Sequence, residues 1–334
     1  MASSSVPDFD SLPPVAGMPP GCAWGVFDKD GQKDVFGTLN RTDRATVLAA
    51  ATEIKQGISI SLNWRLGAVK TPAANRKPLE HRIISFMDTP MRFHGYDDEH
   101  IAFNTQCSSQ WDSLCHFYHQ ESASGYNGCQ PTSQDLIQGW GDEDNEKKLP
   151  TLNHWHDRGG LVGRGVLIDF KRYAEANGIE SDPFGAHEIT VSRIEEIAAA
   201  QGVTLQPGDV FIIRTGYTEV LEVSTPEKQK ELMARFTWAG VEQTIEAAKW
   251  FWNKGFAAVA SDNIGFEVEY GKGDPPVLHP YLLSLFGMPI GELWDLKALS
   301  KHCAETGRYS FFFTSITLNV PGAVGSPPNA LAIF

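Results

Sequence analysis

Polar side chains that can move protons or hold a metal ion gather between positions 106 and 116. The stretch reads Gln106-Cys-Ser-Ser-Gln110-Trp-Asp112-Ser-Leu-Cys-His116, so that Gln, Gln, Asp and His stand at intervals of four, two and four. Residues two apart share a face of an extended strand, and a turn can bring the next group round. The spacing therefore predicts a site where several donors converge on one point, as a metal ion or an acid–base pair requires.

Asp112 and His116 carry acid–base chemistry of their own. Imidazole is the side chain whose unperturbed pKa puts its charge change between pH 5 and 8, and a carboxylate four residues away can orient it or share a metal with it. An isolated Asp-x-x-x-His is nevertheless more often a hydrogen-bonded pair inside a turn than an active site. The catalytic interpretation of Asp112 and His116 therefore depends on the rest of the sequence.

From about residue 24 to residue 334 the chain resembles the kynurenine formamidase-like cyclases. That family carries a motif of His, three residues, His, one residue, Asp, three residues and His. Asp112 and His116 match its last two positions, whereas Gln106 and Gln110 replace its first two histidines. The long insertions and the glutamines look most similar to the fungal branch. Further landmarks stand in the family's order: Gly37–Asn40, Arg158–Gly160, Gly165–Asp169, Gly208–Gly216 and Ser326–Asn329.

The resemblance implies the fold and the ligands. It implies a single α/β domain with a central mixed β-sheet, of the swivelling β/β/α type. It also implies that Asp112, His279 and Glu292 hold a metal ion and that His116 transfers protons. On their own His279 and Glu292 look ordinary, because one precedes a proline and the other begins a helix-like Glu-Leu-Trp-Asp-Leu.

Gln106 and Gln110 decide how many ions we expect. A neutral amide oxygen is a weaker and harder ligand than imidazole. We therefore expect one divalent ion, manganese, zinc or magnesium, and not two zinc ions. The amides can alternatively hydrogen-bond a substrate, and we assign both to substrate binding together with Trp24 and Trp111 as aromatic walls. Core packing is the alternative for the two tryptophans.

The predicted reaction is hydrolysis of an amide or ester bond, lactone or lactam included, in a small aromatic or polyketide-like metabolite. A metal ion would acidify a water and polarise the carbonyl, and His116 would carry the proton to the leaving group. Ring closure is the reverse reaction. One alternative is a metal-independent isomerase, dehydratase or cyclase of secondary metabolism that uses His116 and Asp112. Another is a non-catalytic relative that binds a small molecule.

The elements that position these residues are predicted from hydrophobic periodicity. Short apolar runs at 165–170, 209–214 and 256–260 are typical of buried central strands. Helical patterns lie between them, over 191–201 and after Gly240. This alternation predicts a mixed α/β sheet in one domain. We place that domain at residues 23–334, preceded by an extended arm, rich in Ser and Pro, at residues 1–22.

Charge and composition limit the partners. A net charge of −13 argues against nucleic acid, because nucleic-acid binding needs clustered Lys and Arg. No run approaches the ~18 apolar residues of a membrane-spanning helix, and we expect no secretory signal. Five scattered cysteines without CxxC spacing favour reduced thiols. We therefore expect a cytoplasmic protein that acts on a small molecule and, from the resemblance, forms a homodimer or larger homo-oligomer.

Overall fold

Fifteen short strands underlie the fold of the residues that the computed structural model describes, which are 6–74, 76–96, 100–138, 148–271, 273 and 276–334. In chain order they are β1 Ser59–Ser61, β2 Glu80–Arg82, β3 His100–Ala102, β4 Gln110–Asp112, β5 Leu161–Asp169, β6 Glu188–Ile189, β7 Val210–Arg214, β8 Thr237–Trp238, β9 Gly240–Val241, β10 Ala258–Ser261, β11 Glu269–Tyr270, β12 Ile290–Glu292, β13 Ser310–Ser315, β14 Gly325–Ser326 and β15 Leu331–Ile333.

Helices connect and cover these strands. They are α1 Arg44–Ala50, α2 Ser133–Gln138, α3 Phe170–Ala176, α4 Val191–Ala200, α5 Tyr217–Glu222, α6 Pro226–Met233, α7 Ile245–Lys254, α8 Leu278–Pro280 and α9 Lys297–Thr306. A π-helical turn, Tyr281–Phe286, follows α8, and short 3-10 turns include Gly37–Arg41, Thr105–Cys107 and Leu152–Arg158. Within the described part of the chain, no helix is long and apolar enough to cross a bilayer.

Nine of the described strands form one mixed sheet, in the order β1-β15-β13-β5-β7-β10-β12-β4-β14. β5, β7, β10 and β12 run parallel at its centre, and the pairs towards both edges are antiparallel. The parallel centre explains the continuous apolar runs in the sequence, because such strands are buried on both faces. The predicted central mixed β-sheet and α/β class are confirmed.

Alternate side chains of the central strands enter two different apolar clusters. In β7, Phe211 and Ile213 join one cluster with α4 and α7, whereas Val210 and Ile212 join the other with α9. A strand points successive side chains to opposite faces, so each cluster takes every second residue. The sheet is therefore a layer between two cores, and its strands are held rigidly from both sides.

The pairing of β4 with β12 brings the predicted motif beside a distant segment. Their antiparallel register sets Ile290 opposite Asp112 and Glu292 opposite Gln110. On the other side of β12, Gly291 permits the close pairing with β10, because a Cβ atom there would lie 2.8 Å from the Cβ of Ala260. Glu292 thus ends a strand and does not begin a helix, which corrects the sequence-based interpretation of its surroundings.

The described part of the predicted N-terminal arm lies against α7. The Phe9 side chain is buried, and its backbone N–H donates to the side chain of Asn253 at 2.8 Å. The indole N–H of Trp252 donates to the carbonyl of Pro7 at 2.9 Å. Aromatic packing and two hydrogen bonds therefore hold the segment on the body of the protein.

Candidate active site

The strand β4 explains how the motif aims its side chains. Gln110 and Asp112 are two residues apart and share one face, whereas Trp111 between them points to the other. The 3-10 turn Thr105–Cys107 presents Gln106 to the same place. After β4 the chain turns, and the backbone N–H of His116 donates to the carbonyl of Ser113 at 3.0 Å. The 3-10 turn thus positions Gln106, β4 positions Gln110 and Asp112, and the turn after β4 positions His116.

The two glutamine amides hold the carboxylates of the site. Nε2 of Gln106 and Nε2 of Gln110 both donate to Oε2 of Glu292, each at 3.0 Å. Nε2 of Gln110 also donates to Oδ1 of Asp112 at 2.9 Å. Two acceptors in this buried centre, Oε1 of Gln106 and Oδ2 of Asp112, have no hydrogen-bond partner among the described residues. Buried polar atoms normally have partners, so these oxygens point to a missing ligand.

His279 completes the centre from α8. Its Nε2 lies 4.0 Å from Oδ2 of Asp112, and its Nδ1 lies 3.1 Å from the carboxylate of Glu267. One ligand atom each from Asp112, His279 and Glu292 can be chosen so that all three lie within 4.8 Å of one another. The structure therefore brings the three predicted metal ligands together in a buried cluster.

Burial dominates the electrostatics of this cluster. Burial raises the pKa of Asp112 to about 7, although the nearby His279 lowers it. Burial and the charge of Asp112 both raise the pKa of Glu292, to about 8. Burial alone would lower the pKa of His279, but the carboxylates of Glu267, Glu292 and Asp112 together outweigh burial and raise that pKa to about 9. Two buried carboxylates this close stay ionised only beside positive charge.

His116 lies at the edge of the cluster. Its Nε2 is 3.8 Å from Oδ1 of Asp112, and 29% of its side-chain surface is exposed. Burial of the ring lowers the pKa of His116 to about 4 in spite of that exposure. The imidazole is therefore neutral near pH 7, so that it has a free nitrogen to accept a proton and surface on which to meet a substrate.

The donor set fits a divalent cation. Carboxylate oxygens, an imidazole nitrogen and an unpartnered amide oxygen suit manganese, zinc or magnesium, the ions expected from the sequence. The two unpartnered oxygens and the raised carboxylate pKa values are both features that a cation would relieve. Asp112, His279 and Glu292 would hold the ion, with Gln106 Oε1 as a further oxygen donor.

The two tryptophans assigned to substrate binding both pack against apolar core clusters. Trp111 is fully buried between Trp155 and Trp294, with ring centroids 5.3 and 5.0 Å away, and its indole N–H donates to Ser315 at 2.8 Å. Its side chain packs the core on the face of β4 opposite Asp112. Trp24 packs beside the other core cluster, and its indole N–H donates to the carbonyl of Ser284 at 2.8 Å.

Two contributors to the site were missed by the sequence analysis. Glu267 hydrogen-bonds His279, and Phe117 meets the His279 ring edge-on at a centroid distance of 5.1 Å. Phe117 follows His116 directly, so its place beside the motif could have been predicted from the sequence. No sequence spacing predicts the role of Glu267, because the loop that follows β10 brings it next to His279 only in the folded structure.

Sequence and structure comparisons place the chain in a family. A family model described as "Putative cyclase" matches residues 51–268, more than half of the sequence. The chain belongs to this cyclase family. A crystal structure described as a novel cyclase is 30% identical, with a TM-score of 0.78 over 94% of this chain and 99% of that chain. The family predicted from the landmarks is thereby confirmed, and the buried cluster is the candidate active site of a member of an enzyme family.

More distant structures share the fold. Isatin hydrolase A from Labrenzia aggregata, bound to benzyl benzoate, is 15% identical, with a TM-score of 0.56 over 85% of this chain and 94% of that chain. Isatin hydrolase A from Ralstonia solanacearum is 14% identical, with a TM-score of 0.53 over 87% of this chain and 97% of that chain. No curated protein matches the sequence at a significant level. At these identities the comparison with the isatin hydrolases concerns architecture alone.

Proposed function

We propose that this cyclase-family member is a metal-dependent hydrolase that cleaves an amide or ester bond in a small molecule, or closes a ring in the reverse direction. The observation that carries the proposal is the convergence of Asp112, His279 and Glu292 in a buried site where two acceptor oxygens, Oδ2 of Asp112 and Oε1 of Gln106, lack partners among the described residues. A core-packing role does not account for two adjacent buried carboxylates, since each costs solvation free energy and repels the other. Membership of the cyclase family and a fold shared with isatin hydrolases support the proposal.

A divalent ion held by Asp112, His279 and Glu292 would polarise a carbonyl and lower the pKa of water. The protein's own residues do the rest. Neutral His116 accepts a proton at Nε2 when water attacks and returns it to the leaving group. Asp112, 3.8 Å away, stabilises the imidazolium that forms. Gln106 and Gln110 fix the carboxylate of Glu292 through their amide N–H groups, so that the cluster does not rearrange between steps.

Metal content tests the proposal directly. Protein purified without chelators should contain one tightly bound divalent ion per chain, measured by inductively coupled plasma mass spectrometry. Removing the ion with a chelator should abolish turnover of aryl esters, lactones or N-acyl anilines in a substrate screen, and adding manganese, zinc or magnesium should restore it. Turnover that persists in metal-free protein would favour the metal-independent acid–base alternative. Two fully occupied zinc ions would contradict the expectation of a single ion.

Glu267 should act on the centre through His279. Its carboxylate accepts from Nδ1 of His279 and so directs Nε2 towards Asp112, as carboxylates behind metal-binding histidines do. Removing that carboxylate in Glu267→Ala is expected to weaken metal binding by roughly 10–100-fold, measured by titration with a fluorescent metal chelator.

Glu267→Gln keeps an acceptor oxygen and should recover part of that affinity. A comparison variant is Glu269→Ala, two residues further along in β11 with its side chain only partly buried; this change should leave metal affinity unaltered. Equal affinities for all three variants would show that Glu267 does not position His279.

A further inference from the structure

A groove of about 480 Å³ opens beside His116. Cys115, Phe117 and Tyr118, which are neighbours of His116 in the sequence, line the groove. Leu136 of α2 lines it from a different segment. His116 belongs both to this groove and to the metal-binding cluster, where its Nε2 lies 3.8 Å from Asp112. The groove and the candidate active site therefore share His116, the residue that we assign to proton transfer.

The lining combines aromatic and apolar side chains with neutral polar groups. Apart from His116, the described residues that line the groove include no Asp, Glu, Lys or Arg. Phe117 and Tyr118 provide aromatic surface, and burial raises the pKa of the Tyr118 hydroxyl to about 12, so it remains protonated. A charged group entering the groove would lose hydration without gaining an ionic partner from this lining, which is unfavourable.

The size of the groove matches a small molecule. Small-molecule sites typically enclose about 300–1,000 Å³ and combine apolar walls with a few polar groups. Here the walls include Phe117, Leu136 and Val324, and the polar groups include the hydroxyls of Tyr118 and Ser133 and the Gln120 amide. An aromatic ring stabilises its complex by burying apolar area and by stacking.

We propose that this groove binds the neutral aromatic part of the substrate, with the scissile carbonyl directed past His116 to the metal-binding cluster. Leu136 determines specificity from α2, since its side chain lines the groove but belongs to neither the cluster nor β4. The inference rests on the proposed function for the identity of the reaction. The preference for neutral aromatic ligands is a binding property, however, and can be measured without turnover.

The test compares two neighbouring residues of the same helix. Leu136 lines the groove, whereas Ile137 is 64% exposed and is not part of the lining. Benzamide, a neutral aromatic probe, is titrated against the full chain by ligand-observed NMR, with benzoate and cyclohexanecarboxamide as charged and non-aromatic counterparts. Leu136→Trp should fill the groove and weaken benzamide binding at least about tenfold. Ile137→Trp adds the same bulk outside the groove and should leave binding within about twofold.

Each outcome decides the proposal. Benzamide should bind the parent protein more tightly than either counterpart; equal binding of benzoate, or equal effects of the two tryptophan variants, would overturn the inference. If Leu136→Trp does not fold, Leu136→Ala replaces it and should weaken benzamide binding severalfold relative to Ile137→Ala. The metal and substrate assays fail or succeed independently of this titration. If the protein binds benzamide preferentially but hydrolyses none of the substrates, the hydrolase proposal is wrong and the proposed binding preference of the groove stands.

Discussion

His116→Asn is expected to reduce turnover by roughly 10²–10⁴-fold, the usual loss when a general acid–base group is removed. The imidazole is the one group in the centre that is neutral near pH 7, partly exposed and within 3.8 Å of the Asp112 carboxylate. An asparagine amide retains hydrogen bonding but cannot take up a proton at any accessible pH. Steady-state kinetics on a substrate found in the ester and amide screen measures the effect.

The same variant should fold normally and keep its metal, because Asp112, His279 and Glu292 hold the ion. His119→Asn is the matched control: this histidine lies three residues further on and hydrogen-bonds Ser122 at 3.0 Å, so its loss should change turnover by less than about threefold, well inside the range of an acid–base loss. Near-normal turnover of His116→Asn would rule out the proton-transfer role. Loss of the ion from His116→Asn would show instead that His116 is a ligand.

The central sheet was predictable because its signals are local. The apolar runs at 165–170 and 209–214 are the parallel strands β5 and β7, and the helical pattern over 191–201 is α4. Buried parallel strands reveal themselves by continuous apolar residues. The helix expected directly after Gly240 begins only at Ile245, because Val241 first pairs with β6. Sheet pairing thus overrides helical periodicity at that position.

The loop-like interpretation of residues 121–160 was only partly accurate. Ser133–Gln138 forms α2 and Leu152–Arg158 a 3-10 helix, while residues 139–147 lie outside the described residues. α2 has few apolar residues and contributes Leu136 to the groove by tertiary placement. Short helices of this kind have little periodicity to detect, so the groove could not be derived from the sequence.

The composition of the cluster came from resemblance and not from periodicity. Asp112, His279 and Glu292 belong to segments far apart in the chain, and the β4–β12 register that joins two of them is a tertiary property. Trp111 shows the limit of reasoning from a motif, because the alternation of a strand sends it into the core while its neighbours face the site. The origin of the two glutamines in a fungal branch stays a prediction.

Asp112→Asn is expected to release the metal ion and to lower turnover by at least about 10³-fold. A bound ion supplies several kcal/mol of transition-state stabilisation, and each 1.36 kcal/mol corresponds to a factor of ten in rate. An asparagine offers a neutral oxygen in place of the carboxylate that contacts both His116 and His279. Elemental analysis and kinetics on the same preparation measure both losses.

Although Asp112→Asn should lower metal affinity and turnover, it should not lower the free energy of unfolding of the metal-free protein. Burial raises the pKa of Asp112 to about 7, and burial and the charge of Asp112 raise the pKa of Glu292 to about 8. Above pH 8 both groups are ionised, so an amide at position 112 removes one buried charge and its repulsion of Glu292. Metal-free Asp112→Asn should therefore be at least as stable as the metal-free parent in urea unfolding above pH 8. Asp262→Asn is the control, because Asp262 is equally buried but accepts hydrogen bonds from the backbone of Thr215 and Gly216. The Asp262→Asn variant should lose stability and keep its ion. An Asp112→Asn protein that still binds the ion, and that is less stable than the parent when metal-free, would show that the ion is held elsewhere.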